Sequence, residues 1–199
     1  METNNIKDKN QLYPVFLKLH TLNVLLVGGG NVGYEKLTSL LSNSPDAVIT
    51  IVAPFIKEEI KELVNNHPAC RMIQRNFDES DLDIADLVIC ATDNKELHKE
   101  VKRLANEKKI LVNVADTPGL CDFYLSSIVQ KANLKIAIST NGKSPTAAKR
   151  IREMLEDAIP EEIDDLLNNL HLIRNKINGS FSEKVIQLNE LTKTLVEKK

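Results

Sequence analysis

A short apolar run, Asn23-Val24-Leu25-Leu26-Val27, leads directly into Gly28-Gly29-Gly30-Asn31-Val32-Gly33. Few folds accommodate that junction. The chain has seven glycines in 199 residues, and four of them fall here. A run of this length and composition suits a strand buried on both faces. Glycines clustered after it imply a backbone that side chains would obstruct. Residues 31–42 then carry Val32, Leu37, Leu40 and Leu41 at helical spacing. Strand, G-x-G-x-x-G and helix in that order is the setting of a dinucleotide-binding turn. Gly28 would permit the tight turn, Gly30 would let a pyrophosphate approach the backbone, and Gly33 would let the helix lie close on the strand. The helix N-terminus would offer unpaired N–H groups and a partial positive charge to the phosphates. The alternative is a glycine-rich turn with no ligand.

The pattern continues as alternating strands and helices. Strands are expected at 48–52, 71–74, 86–92 and 110–114, and helices at 56–65 and 94–107. This alternation argues for a mostly parallel α/β sheet over the first 114 residues. Two strands, 123–129 and 134–140, then follow with no helix between them, so a hairpin joined at 130–133 is the natural connection. Beyond Gly142 the chain reads as helical. Ser144-Pro145 is an N-cap with Pro at the first helical position, opening a helix to about 158. Pro160 opens a second helix to about 177, closed by Gly179, and 180–197 gives a third. Gly142-Lys143-Ser144 resembles the end of a phosphate-binding NTPase loop. It lacks the upstream glycine, which would fall at Ala137, and reads as a helix cap.

Composition excludes other classes. Lys and Arg number 26 against 28 Asp and Glu, a balance that suggests neither a nucleic-acid nor a membrane-surface protein. No apolar run approaches the ~20 residues of a membrane span, and the polar N-terminus does not read as a secretory signal. Cys70, Cys90 and Cys121 are widely spaced, and the four histidines are scattered. No zinc-type ligand set is formed, and reduced thiols in the cytoplasm are the simplest reading.

Three further groups are candidates for chemistry. The carboxylate expected about 20 residues after the glycine loop, to hold a ribose hydroxyl, is absent. The second strand ends in Val52-Ala53-Pro54-Phe55, so the backbone of Ala53, Pro54 and Phe55 is assigned the contact, and NAD is not separated from NADP by the motif alone. Thr92 and Asp93 fall at the carboxyl edge of the sheet, where open α/β folds bind ligands; Asp93 also reads as a helix N-cap. Asn113 and Asp116 end the last parallel strand. Asp116 can accept a proton there while a hydride leaves to the cofactor, or it can simply initiate an Asx-turn. Thr140, Asn141, Gly142, Lys143 and Ser144 join a strand to a helix, with Lys149 and Arg150 just beyond, and can receive carboxylates or form a solvated cap.

The ordered set Tyr13-Pro14-Val15-Phe16, 24–33 with Lys36, 48–54, Ala91-Thr92-Asp93, 112–116, 123–128 and 138–145 resembles the precorrin-2 dehydrogenase and ferrochelatase module of siroheme synthase. The resemblance covers almost the whole chain. It implies a Rossmann NAD-binding domain at 1–114, a dimerisation and active-site hairpin region at 115–144 and a helical domain at 145–199. It implies NAD-dependent oxidation of precorrin-2 to sirohydrochlorin by a homodimer, with Fe2+ insertion as a second activity in some members. Asp116 takes the catalytic position, and Asn31, Val32, Pro54 and Phe55 take NAD contacts. Methylation of uroporphyrinogen is expected from another protein. The chain departs from the family's Ser-rich loop at Ser139-Thr140-Asn141-Gly142. A different class, a dimeric NAD(H)-sensing domain without catalysis, would share the glycine loop but not require Asp116.

Overall fold

The computed structural model describes residues 9–193. Contacts divide the chain into two compact units, the first ending at Ser126 and the second beginning at Ser127. In the first unit, β1 (Asn23–Val27), α1 (Asn31–Asn43), β2 (Val48–Val52), α2 (Glu58–Asn65), β3 (Cys70–Ile73), β4 (Leu87–Cys90), α3 (Lys95–Glu107) and β5 (Leu111–Val114) alternate as expected. The strands form one sheet in the order β3-β2-β1-β4-β5, with every neighbouring pair parallel.

The side chains of β1 show why this strand is apolar throughout. Val24 and Leu26 join one core with Leu37, Leu40 and Ile60 from α1 and α2. Leu25 and Val27 join the other with Val101, Leu104 and Ala105 from α3. A strand buried on both faces has no polar position to alternate with. The chain moves from one edge half of the sheet to the other between β3 and β4, so the carboxyl ends of β1 and β4 diverge at a switch point. Doubly wound sheets open a crevice there.

The crossing segment contains a 3-10 turn, Glu79–Ile84, which the periodicity did not announce. It is fixed by polar contacts instead. The Asp81 carboxylate accepts from both Arg75 terminal nitrogens at 2.5 and 2.8 Å and from the Asp78 N–H at 2.9 Å. Burial would raise its pKa, but these bonds outweigh it and hold the carboxyl below the usual range.

In the second unit β6 (Ser127–Lys131) and β7 (Leu134–Ile138) form an antiparallel hairpin, followed by α4 (Pro145–Ala158), α5 (Ile163–Lys176) and α6 (Phe181–Leu191). The first hairpin strand starts four residues later than the sequence pattern suggests. Residues 123–126 belong to the first unit, where Phe123 packs on the core and its carbonyl accepts from Asn113 Nδ2 at 2.8 Å. The turn is also tighter, because Lys131 pairs with Leu134 and leaves only Ala132-Asn133 between the strands. Ala132 occupies the left-handed region at φ 46°, and Asn133 is held by Asp164 Oδ1. α4 packs on β6 and β7, so hairpin and helices form one body from Ser127 onward; a two-stranded hairpin needs such a cover. α5 begins three residues after Pro160, and the end of the third helix, expected near 197, lies outside the described residues.

Leu26 is fully buried at the centre of the sheet. Leu26→Ala is expected to destabilise the protein by about 2–5 kcal/mol, read as a lower urea midpoint at unchanged m-value.

Candidate functional site

The glycine loop is built by backbone approach. Gly28 lies at φ 128°, and a Cβ there would stand 2.3 Å from the Ala91 carbonyl oxygen. A Cβ at Gly33 would stand 2.3 Å from the Gly28 carbonyl oxygen, and one at Gly29 2.2 Å from that of Phe55. Packing inside the protein therefore requires three of the four. Gly30 is different: a Cβ there would meet nothing within 4 Å. Its φ of −88° suits any residue. Gly30 is also the N-cap of α1, which has no side-chain cap and no acidic residue in its first turn. The glycine without an internal reason thus faces open space beside free helix N–H groups, the surroundings that suit a phosphate.

These residues border a cleft of about 840 Å3, within the usual range for small-molecule and cofactor pockets. Gly28, Gly30, Asn31 and Val32 line it, with Ala53, Pro54 and Phe55 after β2, Thr92 and Asp93 after β4, and Asp116 after β5. Gly33 lies beneath the loop. Asn31 is steadied by Lys57, whose Nζ donates to Asn31 Oδ1 at 2.9 Å and pairs with Glu59. Asn76 and Phe77, from the loop after β3, also line the cleft. Sequence reasoning missed them, because no motif marks that loop and only the β2–β3 pairing brings it to the rim.

The structural alternatives for the two acidic residues do not hold. The cap of α3 is Asn94, whose Oδ1 accepts from the N–H groups of Glu96 and Leu97 at 3.1 Å; Asp93 is left exposed at the cleft. Asp116 initiates no Asx-turn, and its carboxylate has no hydrogen-bond partner among the described residues. Its φ of 56° is left-handed, and for a residue other than glycine that costs free energy the surroundings must supply. Those surroundings are well connected. The Ala115 N–H donates to the Cys90 carbonyl at 2.9 Å, and the Cys121 thiol lies 3.2 Å from both the Val114 N and O. Burial pushes the Cys90 thiol up to about 12, with Cys121 adding to the rise, so Cys90 presents no thiolate.

Asn113 does not line the cleft. It is buried, and its amide ties β5 to Phe123. Thr140, Asn141, Gly142, Lys143 and Ser144 lie together in the β7–α4 loop of the second unit. Thr140 Oγ1 donates to the Ser144 carbonyl and accepts from the Ser144 N–H, while Ser144 Oγ caps α4 through the Ala147 N–H. Asn141 and Gly142 are both left-handed, at φ 54° and 72°. Both hydroxyls are thus used to shape the loop. Among the described residues, no group of three His, Cys, Asp or Glu could hold a metal ion.

Comparison with known proteins accords with this geometry. Residues 15–127, more than half of the chain, match a family model described as putative NAD(P)-binding, and residues 132–158 match one described as sirohaem biosynthesis protein central. A solved precorrin-2 dehydrogenase, SirC, superimposes with a TM-score of 0.73 at 30% identity, covering 90% of this chain and 89% of that one. The chain belongs to the precorrin-2 dehydrogenase family. Siroheme synthases of Pseudoalteromonas translucida (39% identical over 171 residues) and Vesicomyosocius okutanii (36% over 169) are also similar, over 86% and 85% of this chain. The chain spans about a third, 36%, of the length of these relatives. The resemblance carried by the motifs, the Rossmann-type sheet with hairpin and helices, and the dinucleotide class of the cofactor are thereby established.

The loop geometry separates packing glycines from the ligand glycine. Gly28→Ala and Gly33→Ala are expected to cost of order 1–3 kcal/mol or more in chemical unfolding. Gly30→Val is expected to leave stability within about 1 kcal/mol while raising the NAD+ dissociation constant at least tenfold in calorimetric titration.

Proposed function

We propose that this chain oxidises precorrin-2 to sirohydrochlorin, with NAD+ as hydride acceptor, in siroheme biosynthesis. The observation that carries the reading is Asp116, an exposed carboxylate without a hydrogen-bond partner among the described residues, in a strained conformation at the rim of the cleft. NAD+, when bound, supplies the hydride acceptor. Dehydrogenation removes a hydride and a proton from the substrate, so a base must receive the proton. Asp116 is the residue assigned to it, its oxygens being uncommitted to other donors. The glycine loop and α1 N-terminus hold the diphosphate, and Ala53, Pro54 and Phe55 meet the adenosine end. No carboxylate at the end of β2 is available to hold a ribose hydroxyl, and no cation lines the cleft there to favour a 2′-phosphate. Catalysis then rests on positioning the substrate carbon against the cofactor.

Precorrin-2 bears many carboxylates. The β7–α4 loop with Lys143, and Lys149 and Arg150 on the first turns of α4, supplies cations of the sign they require. The second unit buries only Val129 and Ala148 among its described apolar side chains, while Met154, Phe181 and Ile186 are exposed. So small a core supports a homodimer in which a second copy covers these residues. Sedimentation equilibrium should give twice the chain mass, and a monomer at micromolar concentration would oppose this. The three cysteines are free, and no helix among the described residues is long and apolar enough to cross a membrane. The free thiols are the feature that supports a cytoplasmic enzyme.

Incubation with precorrin-2 and NAD+ should yield sirohydrochlorin and NADH in equal amounts. Asp116→Asn should lower kcat by at least a hundredfold and leave the NAD+ dissociation constant within about twofold. An NAD(H)-sensing domain would bind the dinucleotide without turnover, and loss of NAD+ binding in the variant would assign Asp116 to the cofactor instead.

A further inference from the structure

Beneath the cleft lies a titratable side chain that neither the glycine loop nor Asp116 explains. His98, on the first turns of α3, is 4% exposed. Its Nε2 is 3.0 Å from Thr92 Oγ1, and its Nδ1 is buried with no partner. Thr92 lines the cleft. The Asn94 N–H also donates to Thr92 Oγ1, at 3.2 Å. One hydroxyl oxygen is therefore approached by two nitrogens from the protein side.

The direction of these bonds follows from elementary bookkeeping of protons. A neutral imidazole carries its proton on one nitrogen. If that were Nδ1, a buried N–H would be orphaned, which native structures avoid more strictly than a bare acceptor. With the proton on Nε2, the bare lone pair is at Nδ1, and Nε2 donates toward Thr92. Burial, only partly opposed by Thr92 and Asp93, holds the imidazole below its ordinary pKa, so the neutral ring is favoured at pH 7.

Thr92 Oγ1 then faces two donors, the His98 Nε2–H and the Asn94 N–H, and can give its own proton to neither. A hydroxyl has two acceptor lone pairs and one donor hydrogen. Both lone pairs are engaged, and no acceptor for the hydrogen exists among the described residues. We propose that His98 is a positioning residue that makes Thr92 an obligate hydrogen-bond donor into the cleft, directed at an acceptor oxygen of the bound dinucleotide. A phosphate or ribose oxygen satisfies it; a ligand presenting only an N–H at that point leaves donor facing donor. Thr92 is set before binding, so the bond forms without the hydroxyl having to choose among partners.

This inference rests on the cleft being the dinucleotide site, and the experiment separates the two. NAD+ affinity is measured by calorimetry for the wild type, Thr92→Val, His98→Leu, His98→Gln and the Thr92→Val/His98→Leu double variant, each checked for folding by circular dichroism. Thr92→Val and His98→Leu should each weaken binding about two- to tenfold, the worth of one neutral hydrogen bond. The double variant should bind no more weakly than Thr92→Val, because His98 acts through Thr92. Gln places an amide N–H near the position of Nε2, so His98→Gln should restore wild-type affinity. Nitrogen NMR of the His98 ring should show Nε2 protonated and Nδ1 bare. A ring protonated at Nδ1, a His98→Leu effect that persists undiminished on the Thr92→Val background, or Thr92→Val binding as the wild type does would each overturn the proposal while leaving the dinucleotide site intact. A folded wild type that binds no NAD+ would overturn both. If His98→Leu fails to fold, His98→Gln, Thr92→Val and the ring NMR still decide.

Discussion

The approach of the Gly28 carbonyl to the start of α1 is the contact from which the site follows. A Cβ at Gly33 would lie 2.3 Å from that oxygen, and a Cβ at Gly28 would lie as close to Ala91. With no side chains between them, α1, β1 and the end of β4 come together at the switch point of the sheet. The helix N-terminus consequently opens into the crevice between β1 and β4 rather than onto a covered strand end. Its uncapped N–H groups, the exposed face of Gly30, and Thr92 and Asp93 after β4 become walls of one cleft. The two-faced burial of β1 holds this arrangement rigid, since Leu25 and Leu26 serve different cores.

Within that frame, polar groups divide into those that build and those left for chemistry. Asn113, Asn94, Ser144 and the hydroxyl of Thr140 are spent on backbone partners. Asp93 and Asp116 are not. Asp116 is kept in a left-handed conformation by the short links around it, the Cys90 carbonyl on Ala115 and the Cys121 thiol on Val114. An exposed acid with no internal partner, held in a costly conformation, serves no evident stabilising purpose. That is the physical ground for reading it as the base.

The glycine fingerprint was legible because its meaning is local: five residues of strand, six of loop and a helix are enough to specify it. The acidic residues were legible only as pairs of alternatives, because a cap and a catalytic carboxylate occupy the same place in a sequence. The structure set aside the capping reading of Asp93, since Asn94 takes that place, and the Asx-turn reading of Asp116, whose carboxylate has no hydrogen-bond partner among the described residues. Asn76 and Phe77 carried no signal, since they reach the rim only through the register of β2 with β3. His98 was equally silent. In the sequence it is one more polar residue of an amphipathic helix, and its relation to Thr92 depends on how α3 lies on β4. The hairpin was read in kind but not in register, because its turn contains Ala132 and Asn133 rather than the glycine that marks such turns.

The sequence by itself determined that this chain alternates strand and helix, that a dinucleotide turn follows the first strand, and that its motifs are those of the precorrin-2 dehydrogenase family. These are properties of neighbours along the chain, where spacing and glycine placement act directly on the backbone. Only the tertiary structure decided which glycines are required by packing and which is not, that Asn94 rather than Asp93 caps α3, and that His98 meets Thr92. Each of those depends on a carbonyl, an N–H or an imidazole brought within a few ångströms from a distant segment or across a turn. The direction of a hydrogen bond is fixed by both of its ends, and a sequence names them without saying that they meet.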